Sequence, residues 1–78
     1  METTKLKEWE ELVGVFQGLE TADGVMALKV SYIPPLVYPA ESVEARTLKR
    51  ALKNTEKGQI IGVLKTNNKF KPLIVVQR

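Results

Sequence analysis

The fold is decided by residues 42–54, which read Ser42-Val43-Glu44-Ala45-Arg46-Thr47-Leu48-Lys49-Arg50-Ala51-Leu52-Lys53-Asn54. Four apolar side chains recur there at helical spacing and form one narrow stripe: Ala45, Leu48, Ala51 and Leu52. Ser42 is a good N-cap, because its hydroxyl accepts a hydrogen bond from a free amide of the first turn. Asn54 tolerates the left-handed conformation that ends many helices. The pattern therefore predicts one helix over residues 42–54.

Four cations form a second stripe on this helix: Arg46, Lys49, Arg50 and Lys53. The ordinary interpretation is a solvated outer face, because cations are favoured near the negative end of the helix dipole. The functional interpretation is a patch for phosphates or for an acidic partner.

The helix also divides the charge of the chain. Residues 1–45 carry eight acidic and three basic side chains, whereas residues 46–78 carry one acidic and nine basic ones, and the net charge is +3. If strands from both halves are neighbours in one barrel, these charges neutralise each other. If they lie on different sides, they can pair between molecules. The split therefore also predicts an acidic protein partner or self-association.

The composition excludes several kinds of chemistry, because the 78-residue chain contains neither cysteine nor histidine. Thiol-ligated metal and redox chemistry are excluded, and the commonest general base and transition-metal ligand are missing. The adjacent carboxylates Glu10 and Glu11 would point to opposite faces of a strand, so they cannot act as a paired acid and base. We expect no enzymatic activity, no cofactor and no metal.

The length allows one small domain. No stretch approaches the length of a membrane span, and the N-terminus lacks the apolar core of a signal peptide. We therefore expect one small β-barrel domain over residues 1–78, with residues 1–8 as a polar N-terminal arm. We expect it in the cytoplasm and away from membranes.

Segments with β-strand character flank the helix. Strands are predicted at about 9–19, 25–32 and 36–38 before it, and at 59–66 and 70–77 after it. Gly14 suggests a bend or bulge where the first strand passes from one sheet to another. Pro34 and Pro35 are expected to break the chain between the second and third strands, because proline cannot donate to a ladder. The predicted class is mainly β, in the order β-β-β-α-β-β.

This order of elements over residues 9–78 resembles the OB-fold, a small five-stranded Greek-key barrel. The resemblance implies one helix between strands 3 and 4, with Leu48 and Leu52 closing one end of the barrel. A second resemblance starts from Val13-Gly14-Val15-Phe16-Gln17-Gly18, followed by Val25-Met26-Ala27-Leu28. These residues are similar to the first motif of Sm-like RNA-binding barrels. An SH3- or Sm-like barrel is therefore the alternative fold.

The OB-fold resemblance implies a ligand surface on strands 2 and 3 and on the loops that join strands 1–2 and 4–5. The loop between strands 4 and 5, at residues 66–71, offers two cations, two amides and an aromatic ring. This mixture suits single-stranded nucleic acid, whose bases stack on rings while cations follow the backbone. The acidic loop at residues 20–23 would lie near the same face and would repel phosphate.

The candidate nucleic-acid-binding residues fall into two groups. The first group is the loop with a second aromatic ring: Lys65, Asn67, Lys69, Phe70, Lys71 and Tyr32. The second group is the basic helical stripe: Arg46, Lys49, Arg50 and Lys53. The ordinary interpretation places Phe70 in the packing of a hairpin end and Tyr32 at the edge of the barrel.

We therefore expect a non-enzymatic module that binds single-stranded DNA or RNA weakly and with little sequence preference. The alternative is a protein-interaction or self-assembly module of unknown process.

Overall fold

The computed structural model describes residues 3–77. Within that range, five strands and one helix follow the predicted order β-β-β-α-β-β. The elements are β1 (Glu11–Ala22), β2 (Val25–Val30), β3 (Ile33–Pro39), α1 (Val43–Ala51), β4 (Ile60–Lys65) and β5 (Leu73–Gln77). The strands form an antiparallel sheet in the order β3-β2-β1-β4-β5. The predicted class, mainly β with a helix between the third and fourth strands, is confirmed.

Strand β1 is shared between two halves of the sheet. Its first half pairs with β4, from Glu11 to Val15, and its second half pairs with β2, from Phe16 to Ala22. The pairing is irregular between Phe16 and Gly18, so the bulge falls at Gln17. The expectation of a bulge at Gly14 was wrong, because Gly14 pairs regularly with Ile61, although β1 does pass from one half of the sheet to the other close by, between Val15 and Phe16. Gly14 is needed for close packing instead, because a Cβ atom there would lie 2.7 Å from Cγ1 of Val30.

Strand β3 begins earlier than predicted and contains both prolines. The expectation that Pro34 and Pro35 separate two strands was wrong, because β3 is an outermost strand of the sheet, where proline is tolerated. The carbonyl groups of both prolines accept hydrogen bonds from the N-terminal arm. The backbone amide of Thr4 donates to Pro35 at 2.8 Å, and its hydroxyl donates to Pro34 at 2.6 Å. The arm is therefore docked on the edge of β3, whereas residues 1 and 2 lie outside the described range.

Helix α1 is shorter than the predicted segment. Ser42 is the N-cap as predicted, since its hydroxyl accepts from the Ala45 amide at 3.1 Å. The helix ends at the C-cap Leu52 and not at Asn54, because the backbone of Leu52 is no longer helical, with φ −102° and ψ 9°. Ala51 was expected on the buried stripe, but it is exposed.

A single buried cluster joins every strand to the helix. Its members are Phe16, Met26, Leu28, Leu36, Ala45, Leu48, Leu52, Ile61, Val63 and Leu73. Helix α1 packs against both β3 and β5, the two outermost strands. A flat sheet would hold those strands about 19 Å apart. The shared cluster therefore indicates that the sheet curls toward a barrel, with α1 packed between its two edges.

Candidate nucleic-acid interface

The loop between β4 and β5 is held in one conformation by its own hydrogen bonds. Thr66 is buried, and its amide donates to the Pro72 carbonyl at 2.8 Å while its hydroxyl donates to the Lys71 carbonyl at 2.5 Å. The Asn68 side-chain oxygen accepts from the amides of Phe70 and Lys71, at 2.8 Å and 3.2 Å. These bonds fix the backbone that carries the candidate ligand-binding side chains.

Phe70 belongs to this loop and not to β5, which begins at Leu73. Its ring is 88% exposed, so it does not pack the end of a hairpin. The ring borders a shallow depression that it shares with Lys71 of the loop and with Thr47, Arg50 and Ala51 of α1. A loop and a helix that are distant in sequence thus meet around an exposed aromatic ring.

The basic stripe of α1 continues directly from that depression. A second depression is lined by Arg46, Lys49, Arg50 and Lys53, and Arg50 borders both. Neither of the two is lined by an acidic residue in the part of the chain that the structure describes. The cation–ring surface is the name we give to these six residues: Arg46, Lys49, Arg50, Lys53, Phe70 and Lys71. The structure therefore places the helical stripe beside one half of the predicted loop site.

The other half of the predicted loop site lies in a different environment. Lys65, Asn67 and Lys69 line a separate depression together with two acidic residues, Glu8 and Glu44. The Lys65 ammonium lies 3.5 Å from a Glu44 carboxylate oxygen, and both side chains are largely buried, at 22% and 26% exposure. This ion pair joins the basic and acidic halves of the sequence within one molecule, so the positive charge of Lys65 is already compensated.

The Glu44 carboxylate also interacts electrostatically with a third titratable side chain, Tyr38. Burial raises the pKa of the Tyr38 hydroxyl, and the negative charge of Glu44 raises it further. Both effects disfavour the phenolate. Tyr38 therefore stays neutral through the physiological pH range.

Tyr32 lies at the opposite end of β4 from the loop that carries Phe70. It sits in the tight turn between β2 and β3 with a positive φ of 65°, and its side chain is fully exposed. The amide of the preceding residue, Ser31, donates a hydrogen bond to the carbonyl group of Val15. Val15 in turn pairs with Ile60, the first residue of β4. The candidate loop follows the last residue of that strand, about 17 Å further along at the usual rise per residue. The structure therefore does not bring Tyr32 together with Phe70.

Three residues near the predicted site were not anticipated from the sequence. Thr47 and Ala51 border the Phe70 depression, and no sequence pattern marks them as contacts of a loop twenty residues away. Trp9 was expected to begin β1, but that strand begins at Glu11. Trp9 is instead 60% exposed with a φ of 66°, and its amide donates to the Lys65 carbonyl at 2.6 Å.

The acidic residues of the β1–β2 hairpin are partly compensated. Glu20 lies 3.0 Å from the Lys29 ammonium on the neighbouring strand, and both side chains are well exposed. Such an exposed pair contributes little to stability, but it lowers the negative potential of the hairpin.

Across residues 3–77, no three acidic side chains come together in a way that would hold a metal ion. The same residues contain no helix that is long and apolar enough to span a membrane. Comparison with models of known protein families, with curated protein sequences and with solved structures finds no match to this chain.

Proposed function

We propose that this chain is a non-enzymatic module with an OB-like barrel that binds single-stranded DNA or RNA weakly and with little sequence preference. The binding site is the cation–ring surface. One observation carries the proposal: Arg50 borders both the depression beside the Phe70 ring and the depression formed by the basic stripe. A base stacked on Phe70 would leave its neighbouring phosphates beside Arg50 and Lys71, and the strand would continue along α1.

The sheet topology supports the OB-like barrel over the Sm-like alternative. Strand β1 pairs with β2 through one half and with β4 through the other, as expected for a strand that serves both sheets of such a barrel. In the sequence, helix α1 lies between β3 and β4. In the fold, it packs against the two outermost strands, β3 and β5. A helix of this length after the third strand is not expected in an Sm-like barrel.

The chemistry of the surface favours the binding of single-stranded nucleic acid without base specificity. The ring offers a flat apolar face, on which any base can stack with about 1–3 kcal/mol of binding energy. Arg50 and Lys71 border the same depression as the ring, and Arg46, Lys49 and Lys53 line the adjoining depression. A single strand of nucleic acid gives a salt slope of about −0.7 for each phosphate contacted. The slope of log K against log salt should therefore approach about −3.5 if all five cations are engaged.

The test is fluorescence anisotropy with a labelled, mixed-sequence single-stranded oligonucleotide at several salt concentrations. The double variant Arg50→Glu with Lys71→Glu should weaken binding and reduce the salt slope by at least about 1.4, because two phosphate contacts are lost. The matched control is Lys57→Glu, an exposed lysine that lines neither depression of the surface. Lys69→Glu should also have a small effect, because Lys69 lines the mixed-charge depression.

Two results would overturn the proposal. One is the absence of binding by the wild-type protein even at low salt. The other is a weakening by Lys57→Glu that reaches half of that caused by the double variant, because an equal effect for each reversed charge would mean a general charge effect and not a site. Binding of an acidic peptide in place of the oligonucleotide would assign the same surface to a protein partner.

A further inference from the structure

The outer face of the β1-β4-β5 part of the sheet is aliphatic. Residues directly opposite each other in antiparallel strands point to the same side, and alternate residues point to opposite sides. Gly62 of β4 lies between Val13 of β1 and Val76 of β5. Two residues away along the strands on either side, Val15 pairs with Ile60 and Leu64 pairs with Ile74. We call these residues the aliphatic face: Val13, Val15, Ile60, Gly62, Leu64, Ile74 and Val76. The alternate set, which includes Leu12, Ile61 and Val63, points into the core.

Four of the seven residues of the aliphatic face are exposed to solvent. Val13, Ile60, Ile74 and Val76 are 45%, 47%, 47% and 40% exposed, although they occupy neighbouring positions on three strands. The helix cannot cover them, because α1 packs with Ile61 and Val63 on the other side of the sheet. None of the seven residues of this face is charged, and Glu11, which pairs with Leu64, lies at one corner on the same side.

The strands β4 and β5 are apolar on both sides. They read Ile60-Ile61-Gly62-Val63-Leu64 and Leu73-Ile74-Val75-Val76, without the alternation that marks a strand with one wet face. Such continuous runs are typical of strands that are covered on both sides. In the described fold, only the inner side is covered.

The size and the charge of the face fit a second copy of this chain. Its exposed apolar area is on the order of 400 Å², at the size of the largest patches on monomeric proteins. Two such faces together would bury about 800 Å², less than the 1,200–2,000 Å² typical of stable complexes. The area therefore fits a reversible dimer. A two-fold axis through the centre of the face would oppose aliphatic side chains to each other, and it would keep the two copies of Glu11 apart at the rim.

We propose that the aliphatic face is the interface of a reversible homodimer, in which two sheets pack face to face about 10 Å apart. The proposal does not depend on nucleic-acid binding. It also differs from pairing between acidic and basic surfaces, because the contacts are apolar and become stronger as salt screens the net charge of +3 on each copy.

The test is sedimentation equilibrium of the full chain from micromolar to millimolar concentrations, at low and at high salt. The wild-type protein should move from monomer toward dimer as the concentration rises, with no loss of association at high salt. Val76→Lys should shift the dissociation constant by at least about 10-fold, because a buried interface would have to take up an unpaired charge. The matched control is Val25→Lys on β2, since Val25 and Val76 are both strand valines with 40% exposure.

Three results would overturn the proposal: a wild-type monomer at every concentration, a dimer that dissociates at high salt, or equal dimerisation of Val76→Lys and the wild-type protein. The midpoint of thermal unfolding checks that the variants are folded. If Val76→Lys does not fold, Ile74→Ser replaces it and should weaken association in the same direction. The concentration and salt dependence of the wild-type protein decide the question without any variant.

Discussion

Leu48→Ala is the sharpest test of the packing between α1 and the curled sheet. Leu48 has no exposed surface and belongs to the single buried cluster. Removing its isopropyl group costs about 2.4 kcal/mol in transfer free energy, at about 0.8 kcal/mol for each buried methylene. An unfilled cavity of about 50 Å³ adds about 1.2 kcal/mol. We expect a total loss of about 3–4 kcal/mol in the free energy of unfolding.

This loss is large for so small a protein, because 78 residues have a free energy of unfolding of about 4–12 kcal/mol. The assay is urea unfolding followed by circular dichroism, with the m-value checked for two-state behaviour. Leu48→Met, which keeps the volume, should cost less than about 1.5 kcal/mol. Lys49→Ala, on the exposed side of the same turn, should stay within about 0.5 kcal/mol of wild type. A loss below about 1 kcal/mol for Leu48→Ala would refute the packing of α1 into the core.

Three further substitutions probe the site, the half-buried Tyr38 and the close packing of Gly14 against Val30. Phe70→Ala should weaken oligonucleotide binding by about 1–3 kcal/mol in anisotropy titrations, whereas Tyr32→Ala should leave it unchanged; equal effects would contradict the placement of the site. The pKa of Tyr38 is higher in the folded protein than its ordinary value of 10.0, so folding favours the neutral hydroxyl. This contribution to stability is present below pH 10 and is lost as the pH rises through the pKa of the folded state. Tyr38→Phe should therefore lose less thermal stability than wild type between neutral and strongly alkaline pH. Gly14→Ala should cost about 1–3 kcal/mol in urea unfolding through its clash with Val30, and Val30→Ala in the same chain should relieve part of that cost.

The order of elements could be predicted from local patterns, because each pattern reflects a local physical preference. The cap at Ser42 and the helical spacing of Leu48 act within a few residues, and both appear in the structure as predicted. The extent of β3 could not be predicted in this way. Whether Pro34 and Pro35 are tolerated in a strand depends on that strand lying at the edge of the sheet, which is a property of the whole fold.

The candidate site was predictable only in its residue types. The cations of α1 and the ring of Phe70 stand out in the sequence, but the depression that Arg50 and Phe70 share depends on how the loop folds back toward the helix. The ion pair between Lys65 and Glu44 joins two halves of opposite charge, and no local rule selects those partners. A sequence signal did exist for the aliphatic face, since the runs Ile60–Leu64 and Leu73–Val76 lack alternation.

The two proposals together predict that binding depends on the length of the nucleic acid. The cation–ring surface lies on α1 and its adjoining loop, whereas the aliphatic face lies on the other side of β4 and β5. A homodimer would therefore carry two cation–ring surfaces pointing away from its interface. An oligonucleotide long enough to reach both surfaces would bind the second surface at a high effective concentration. The affinity of the dimer for this oligonucleotide would therefore exceed its affinity for a short one by more than the number of sites explains. Anisotropy at protein concentrations that populate the dimer should show this gain for wild type and for Val25→Lys, and not for Val76→Lys. A gain of the same size in Val76→Lys would mean that the length dependence comes from extra phosphate contacts on one copy and not from two linked surfaces.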